Sequence, residues 1–316
     1  MTRHRLISSV KDEGPFLLEW VAHHLVLGFD RISVASNDCR DGSDDLLQAM
    51  AAAGYIDHVP NIVAPGEIPQ HAGYTAMRAK LPIDDTDWLM VLDADEFLNI
   101  HIGAGLVGDL TERAGPDCDI ISLHAMCFAD RPQVNWQPGR VCAQFPWRLS
   151  LTHKANKALK SLTRNPSRFR DIHNHSMVSF KGRPTDLRVM DGDGTRHNII
   201  PGVPLWQQLR SADVHNASHR MAQYNHYAVK TWDSFALRRE RGRGAVAITD
   251  ASTMRHTETY FRDRTTADAL DISISRYEGQ VTAMMAEMLQ DSAIQRCHLF
   301  CEQTYARLAG PHRQLF

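Results

Sequence analysis

Asp87-Trp88-Leu89-Met90-Val91-Leu92-Asp93-Ala94-Asp95-Glu96-Phe97-Leu98 is the stretch on which the fold turns. Trp88 to Leu92 is a short, almost wholly apolar run, the pattern of a strand buried on both faces. Asp93, Asp95 and Glu96 follow where that strand emerges. In an open α/β sheet, ligands bind outside the carboxyl ends of the strands. Two carboxylates at i and i+2 there suit a hard divalent cation, which in turn can hold a diphosphate. An acidic turn after a core strand is the plainer alternative.

Upstream, strands and helices alternate. Leu6–Val10 reads as a strand, followed by the polar turn Lys11-Asp12-Glu13-Gly14. Pro15 suits the first turn of a helix. Phe16, Leu17, Trp20, Val21, His24, Leu25 and Leu27 give that helix its apolar spacing, and Gly28 stops it. Ile32–Ala35 is a second strand. Ser43 is expected to cap a helix that carries Leu46, Leu47 and Met50 inward as far as Gly54. Tyr55–Val59 is a third strand, residues 60–69 a loop, and His71–Leu81 a helix. This alternation predicts βαβ units around a parallel sheet.

Downstream the order loosens. Gly105–Ala114 reads as a helix and Asp119–Phe128 as a strand. Residues 139–170 are basic and irregular, and 171–204 are rich in Gly, His and Asp. Thr231–Arg241 and much of 265–308 read as helices. No internal repeat or low-complexity linker interrupts the chain.

Composition narrows the function classes. The sequence has 316 residues, 43% hydrophobic and 23% charged, with a formal net charge of −2. That balance is of an ordinary globular protein and gives nucleic acid no claim as the main partner. No apolar run approaches the ~20 residues of a spanning helix, and Met1–Val10 lacks the pattern of a secretory signal. Six cysteines without a paired C-x-x-C spacing point to free thiols. The Gly-rich signatures of dinucleotide and P-loop sites are missing.

Three polar clusters, Ser9–Glu13, Ser36–Asp41 and Asp93–Glu96, end successive strands and so share one rim of a parallel sheet. Like charges gathered there cost stability unless a ligand or cation uses them. The basic stretch Arg140–Arg170 suits a loop closing over phosphates, or a merely solvated surface. His173-Asn174-His175 reads as two ligands or as a His-rich loop, and no matching pair at zinc spacing accompanies it.

Lys11-Asp12-Glu13-Gly14-Pro15-Phe16-Leu17-Leu18-Glu19-Trp20, then His23-His24 and Gly28-Phe29-Asp30, resembles the opening of family 2-like glycosyltransferases. Ser36–Ser43 and Val91–Leu98 continue the match in order. Within that group the chain looks most like the bacterial branch related to the family 92 enzymes. Lys160-Ser161-Leu162, His173 and Asn225-His226-Tyr227 stand in the order of that branch's later motifs. The match is dense over 6–130 and sparse as far as about residue 265.

The resemblance implies a GT-A (nucleotide-diphospho-sugar transferase) fold, an α/β architecture with a mostly parallel central sheet flanked by helices. Residues 1–130 would form the nucleotide-sugar-binding half of a domain over 1–265, and 131–265 an irregular closing half that meets the acceptor. Residues 266–316 would be a C-terminal helical extension. The implied function is metal-dependent transfer of a sugar from a nucleotide-sugar, UDP-sugars favoured, to a hydroxyl of a glycan or lipid-linked saccharide, with inversion. A sugar nucleotidyltransferase and a non-catalytic nucleotide-sugar-binding protein are the alternatives. Asp93 and Asp95 stand at the family's Asp-x-Asp, so they and His226 are expected to hold Mn²⁺ or Mg²⁺. Ser9, Lys11, Glu13, Asn37, Asp38, Asp41 and Asp93 are expected at the nucleotide, with Lys160, Arg239 and Arg241 on the leaving diphosphate. Asn37 stands where the family often has a ribose- or base-binding Asp, which is either replaced there or displaced to Asp38, and this leaves the base open. The general base is expected at Asp130, with Asp191 or Asp193 next. The family's usual work suggests a cytoplasmic enzyme, peripheral at the inner membrane.

Overall fold

The computed structural model describes residues 2–129, 135–242, 244–247 and 257–313. The first half runs β1 (His4–Val10), α1 (Gly14–Val26), β2 (Arg31–Ser36), α2 (Ser43–Ala52), β3 (Asp57–Pro60), α3 (Pro69–Lys80), β4 (Trp88–Val91), β5 (Glu96–Ile100), α4 (Val107–Ala114) and β6 (Ile120–Cys127). The second half adds α5 (Val141–Gln144), β7 (Trp147–Arg148), β8 (Leu159–Arg164), β9 (Phe169–Ile172), β10 (Met177–Phe180), β11 (Arg188–Asp191), β12 (Arg196–Asn198), α6 (Leu205–Gln208), β13 (Ala222–His226) and α7 (Trp232–Arg241). It closes with α8 (Glu258–Arg264), β14 (Ala269–Leu270), α9 (Glu278–Met288) and α10 (Ser292–Ala309).

The central sheet has the order β12-β11-β6-β8-β4-β1-β2-β3. β3, β2, β1 and β4 are mutually parallel. β8 is inserted antiparallel between β4 and β6, so β6 again points the same way as β4. β13 runs parallel to β6 and antiparallel to β5. The ends of β1, β2, β4, β6 and β13 therefore open on one rim. The α/β architecture expected from the alternation is the one observed.

Burial explains the pattern that announced it. Trp88 and Met90 pack into the layer that holds α1, whereas Leu89 and Val91 pack into the layer that holds α3. A strand covered on both faces reads as a continuous apolar run. α1 is apolar nearly all round, with Leu17, Leu18, Trp20, Val21 and Ala22 all at 0% exposure. Its outer side is covered by α9 and α10, whose Val281, Ile294, Cys301 and Tyr305 join the same core.

Several local expectations shift. Ser43 is the first residue of α2 rather than its cap; Gly42 precedes it at φ 89°, and the Asp41 carboxylate accepts from the Ser43 amide at 3.0 Å. β5 had no boundary in the sequence, because its apolar residues continue those of β4 across a connection of four residues. β8 was hidden in the basic stretch by Lys160, a charged residue at a wholly buried position.

Candidate active site

The sheet rim carries a cavity of about 720 Å³, within the range of ligand sites. Its floor is the β4–β5 turn with Asp93, Ala94, Asp95 and Glu96; Ser9, Lys11 and Glu13 come from the end of β1, and Asn37 from the end of β2. His226 and Tyr224 come from β13, and Arg238, Arg239, Glu240 and Arg241 from α7. A further wall holds Lys157, Trp206 and Arg210.

The turn is fixed from behind. The Asp93 amide donates to Glu96 Oε2 at 2.8 Å, and the Lys160 ammonium reaches the same oxygen at 2.9 Å and Asp93 Oδ2 at 3.2 Å. The third Lys160 donor goes to the carbonyl of Asn174 in the β9–β10 loop. Gln70 Nε2 of α3 donates to Asp93 Oδ1 at 2.7 Å. Burial lifts Glu96 to about 7 against the pull of Lys160. Lys160 itself is pulled down by burial and up, more strongly, by Asp93 and Glu96.

Asp95 meets a different partner. Arg238 Nη1 donates to Asp95 Oδ2, and His226 Nε2 lies 3.6 Å from that oxygen. Burial raises the Asp95 carboxyl, but Arg238 and then His226 outweigh it and hold it well below the usual carboxylate range. In return Asp95 overcomes the burial of His226 and holds that imidazole well above its ordinary value. One turn along α7, Arg241 donates to the Glu13 carboxylate and to the carbonyls of Lys11 and Asp12. Arg238 and Arg241 are i and i+3 on one helix face, which brings both to the rim.

Among the expected nucleotide residues, Ser9, Lys11, Glu13, Asn37, Asp93, Arg239 and Arg241 line the cavity. Asp41, Asp38 and Lys160 do not, and each has a physical reason. Asp41 is fully buried and ties the start of α1 to that of α2, accepting from Gly14 N at 2.7 Å and from Ser43. Asp38 turns outward at φ 48° and faces Lys11 at 3.9 Å. Lys160 has committed all three of its donors to the protein, so none is left for a diphosphate.

The expectation that Asp191 or Asp193 faces the crevice is corrected. Both sit at the β11–β12 turn. Asp191 binds the amides of Asp193 and Thr195 and pairs with His197 at 2.7 Å, while Asp193 pairs with Arg220. Asp130 lies outside the described residues. Arg238, Gln70 and Glu240 went unnoticed in the sequence; helical phase with Arg241 was the available signal for Arg238.

The fit of a divalent cation follows from these contacts. Asp93 accepts from Gln70 on one carboxylate oxygen and from Lys160 on the other, and Asp95 accepts from Arg238 on Oδ2. Among the described residues, no three His, Cys, Asp or Glu side chains converge as a metal-holding group. The donor types suit Mn²⁺ or Mg²⁺, but their arrangement around Lys160 and Arg238 does not.

No family model matches the chain. A glycosyltransferase family 92 protein of Ricinus communis is 24% identical over 129 residues, 40% of this chain and 22% of the relative. One from Oryza sativa subsp. japonica is 24% identical over 168 residues, 52% and 28% of the two chains. One from Arabidopsis thaliana is 32% identical over 88 residues, 27% and 14%. The chain thus spans less than a third of the length of these relatives. Among solved structures, S. aureus TarS 1–349 aligns with 99% of this chain and 92% of its own at TM-score 0.36 and 9% identity. Glucosyl-3-phosphoglycerate synthase from Mycobacterium tuberculosis aligns with 41% and 45% at TM-score 0.28 and 16% identity. The sheet places four parallel strands, one antiparallel insertion and then further strands side by side, and over part of its length the chain is similar in sequence to family 92 glycosyltransferases.

Proposed function

We propose that the protein transfers a sugar from a nucleoside-diphosphate sugar to an acceptor hydroxyl. The observation that carries this reading is the 720 Å³ cavity at the carboxyl ends of the parallel strands, where the Asp-Ala-Asp-Glu turn meets the arginines of α7. The position is where α/β sheets bind nucleotides, and the sequence similarity to family 92 glycosyltransferases supports the reaction class.

The chemistry is a displacement at the anomeric carbon. The acceptor oxygen forms a bond to that carbon as the bond to the β-phosphate oxygen breaks. The electron pair leaves with the nucleoside diphosphate, and the acceptor proton passes to a base. A single in-line step inverts configuration. Fixed guanidinium groups stabilise the charge that develops on the leaving diphosphate; Arg239, which has no carboxylate partner among the described residues, is placed for that task. Glu13, Asp93, Asp95 and Glu96 are each held by a lysine or arginine. The remaining described carboxylate of the cavity is Glu240, paired with His312 at 3.0 Å, and we assign it the proton.

UDP-, GDP-, CMP- and dTDP-sugars incubated with the protein and a panel of saccharide acceptors test the proposal. Release of nucleoside diphosphate matched by new glycoside supports it, and turnover of the CMP-sugar alone would overturn the diphosphate donor. Release of sugar 1-phosphate, with the nucleoside monophosphate carried to the acceptor, would indicate nucleotidyl transfer instead. Binding without turnover of any donor would indicate a non-catalytic relative.

A further inference from the structure

We infer that this site binds its nucleoside diphosphate without a divalent cation, because Lys160 and Arg238 already supply two fixed positive charges at the acidic turn. The inference rests on the donor reading above. It concerns what neutralises the Asp-x-Asp carboxylates and the diphosphate beside them.

Lys160 carries the argument furthest. It enters the sheet from β8 at 1% exposure, and β8 is the one antiparallel strand between β4 and β6. Its ammonium is fixed between Asp93 Oδ2 at 3.2 Å, Glu96 Oε2 at 2.9 Å and the Asn174 carbonyl. A metal ion on Asp93 would share its two oxygens with Lys160 and Gln70, one of them already facing a full positive charge. Displacing Lys160 would leave its buried ammonium with Glu96 and the Asn174 carbonyl but without one of its two carboxylates, which weakens a buried ion pair.

Arg238 does the same on the second carboxylate. Its Nη1 donates both to Asp95 Oδ2 and to the carbonyl of Ala228, the latter at 2.7 Å. Asp95 is 2% exposed, so this contact is shielded from water. One oxygen of each carboxylate is therefore paired with a protein cation, on two different elements.

Positive charge also remains for the phosphates themselves. Arg239, Lys157 and Arg210 line the cavity, and none has a carboxylate partner among the described residues. Arginine stays charged throughout turnover and matches phosphate oxygens bidentately. In this arrangement Asp93 and Asp95 serve as positioning residues for Lys160 and Arg238.

The test is calorimetric titration of the whole chain with UDP, GDP, CMP and dTDP, in excess EDTA and in excess Mn²⁺. Electron paramagnetic resonance of free Mn²⁺ is followed alongside. The expected result is one nucleotide binding with the same affinity within about twofold in both buffers, and a free Mn²⁺ signal no lower with protein plus nucleotide than with the nucleotide alone. Lys160→Met releases Asp93 and Glu96, and in that variant Mn²⁺ should begin to bind. Arg238→Met should do the same through Asp95, which keeps the test usable if one variant fails to fold. A gain of about tenfold in affinity with Mn²⁺, or loss of the free signal in proportion to the wild-type protein, overturns the inference while leaving the donor reading intact. No binding of any nucleotide in either buffer overturns both.

Discussion

The indole Nε1 of Trp20 donates a 2.9 Å hydrogen bond to the main-chain oxygen of Glu96, joining the first helix to the acidic turn. Two further side chains of α1 hold the same strand. His23 Nε2 donates to the Leu98 carbonyl at 2.8 Å. His24 donates through Nδ1 to Trp20 O at 2.8 Å and accepts the Leu98 amide on Nε2 at 3.3 Å. The Trp-x-x-His-His pattern thus clamps β5 in register behind the cavity. Trp20→Phe leaves the buried Glu96 carbonyl without this donor and is expected to cost about 1–3 kcal/mol. Urea denaturation measures it, and an unchanged midpoint would remove the clamp from the account.

Arg241 makes a second structural link, from α7 to the Lys11–Glu13 turn. One planar guanidinium meets two carbonyls and a carboxylate there, a geometry that a lysine ammonium cannot reproduce. Arg241→Lys is expected to weaken nucleotide binding by about tenfold, equivalent to about 1.4 kcal/mol, although the charge is kept. Titration with the nucleotide that the wild type prefers reads this directly. Full affinity in Arg241→Lys would mean that charge alone matters at this position.

These links show how far the sequence could be read. The parallel half was legible because β4 is apolar on both faces, and because the strand ends carry polar residues in order. The site was legible where a residue faces the cavity from a strand end, as Ser9, Glu13, Asp93 and Asp95 do. It was illegible where position depends on pairing between distant elements. Lys160 reads as a ligand of the leaving diphosphate until β8 is known to lie between β4 and β6, where its ammonium is used by Asp93 and Glu96. Asp191 reads as a crevice carboxylate until its turn is seen to use it internally. Asp41 reads as a nucleotide ligand, yet its oxygens fasten two helix starts.

Buried histidines set the expected response to acid. Burial holds His23, His175 and His219 down to about 4, and His24 well below its ordinary value. Unfolded histidine titrates near 6.5, so between about 4 and 6.5 the unfolded chain binds more protons and stability falls as pH falls. For His23, which is 2% exposed, the loss is on the order of 3 kcal/mol across that window. Glu19 acts in the opposite sense. Burial pushes it up to about 7 although it accepts from the Val141 and Cys142 amides. Its native form therefore holds a proton that the unfolded chain releases, and its contribution falls as pH rises from about 4.5 to 7. Melting curves from pH 4 to 7 should show net loss of stability toward acid. Glu19→Gln should make that loss steeper, and a shallower slope in the variant would contradict the assignment.

Glu240 decides the catalytic account. It lies on α7 between Arg239 and Arg241 and is half exposed at the cavity, with His312 as its partner. Removing a general base lowers turnover by roughly 10²–10⁴-fold while leaving substrate binding largely intact. Glu240→Gln is therefore expected to lower kcat by that factor with little change in donor affinity. His312→Ala should change kcat far less and move the acidic limb of the pH profile. Asp130→Asn provides the comparison, since that residue was the first expected from the sequence. If Asp130→Asn abolishes turnover while Glu240→Gln retains it, the proton goes to the segment after β6 and the role assigned to α7 is confined to the diphosphate.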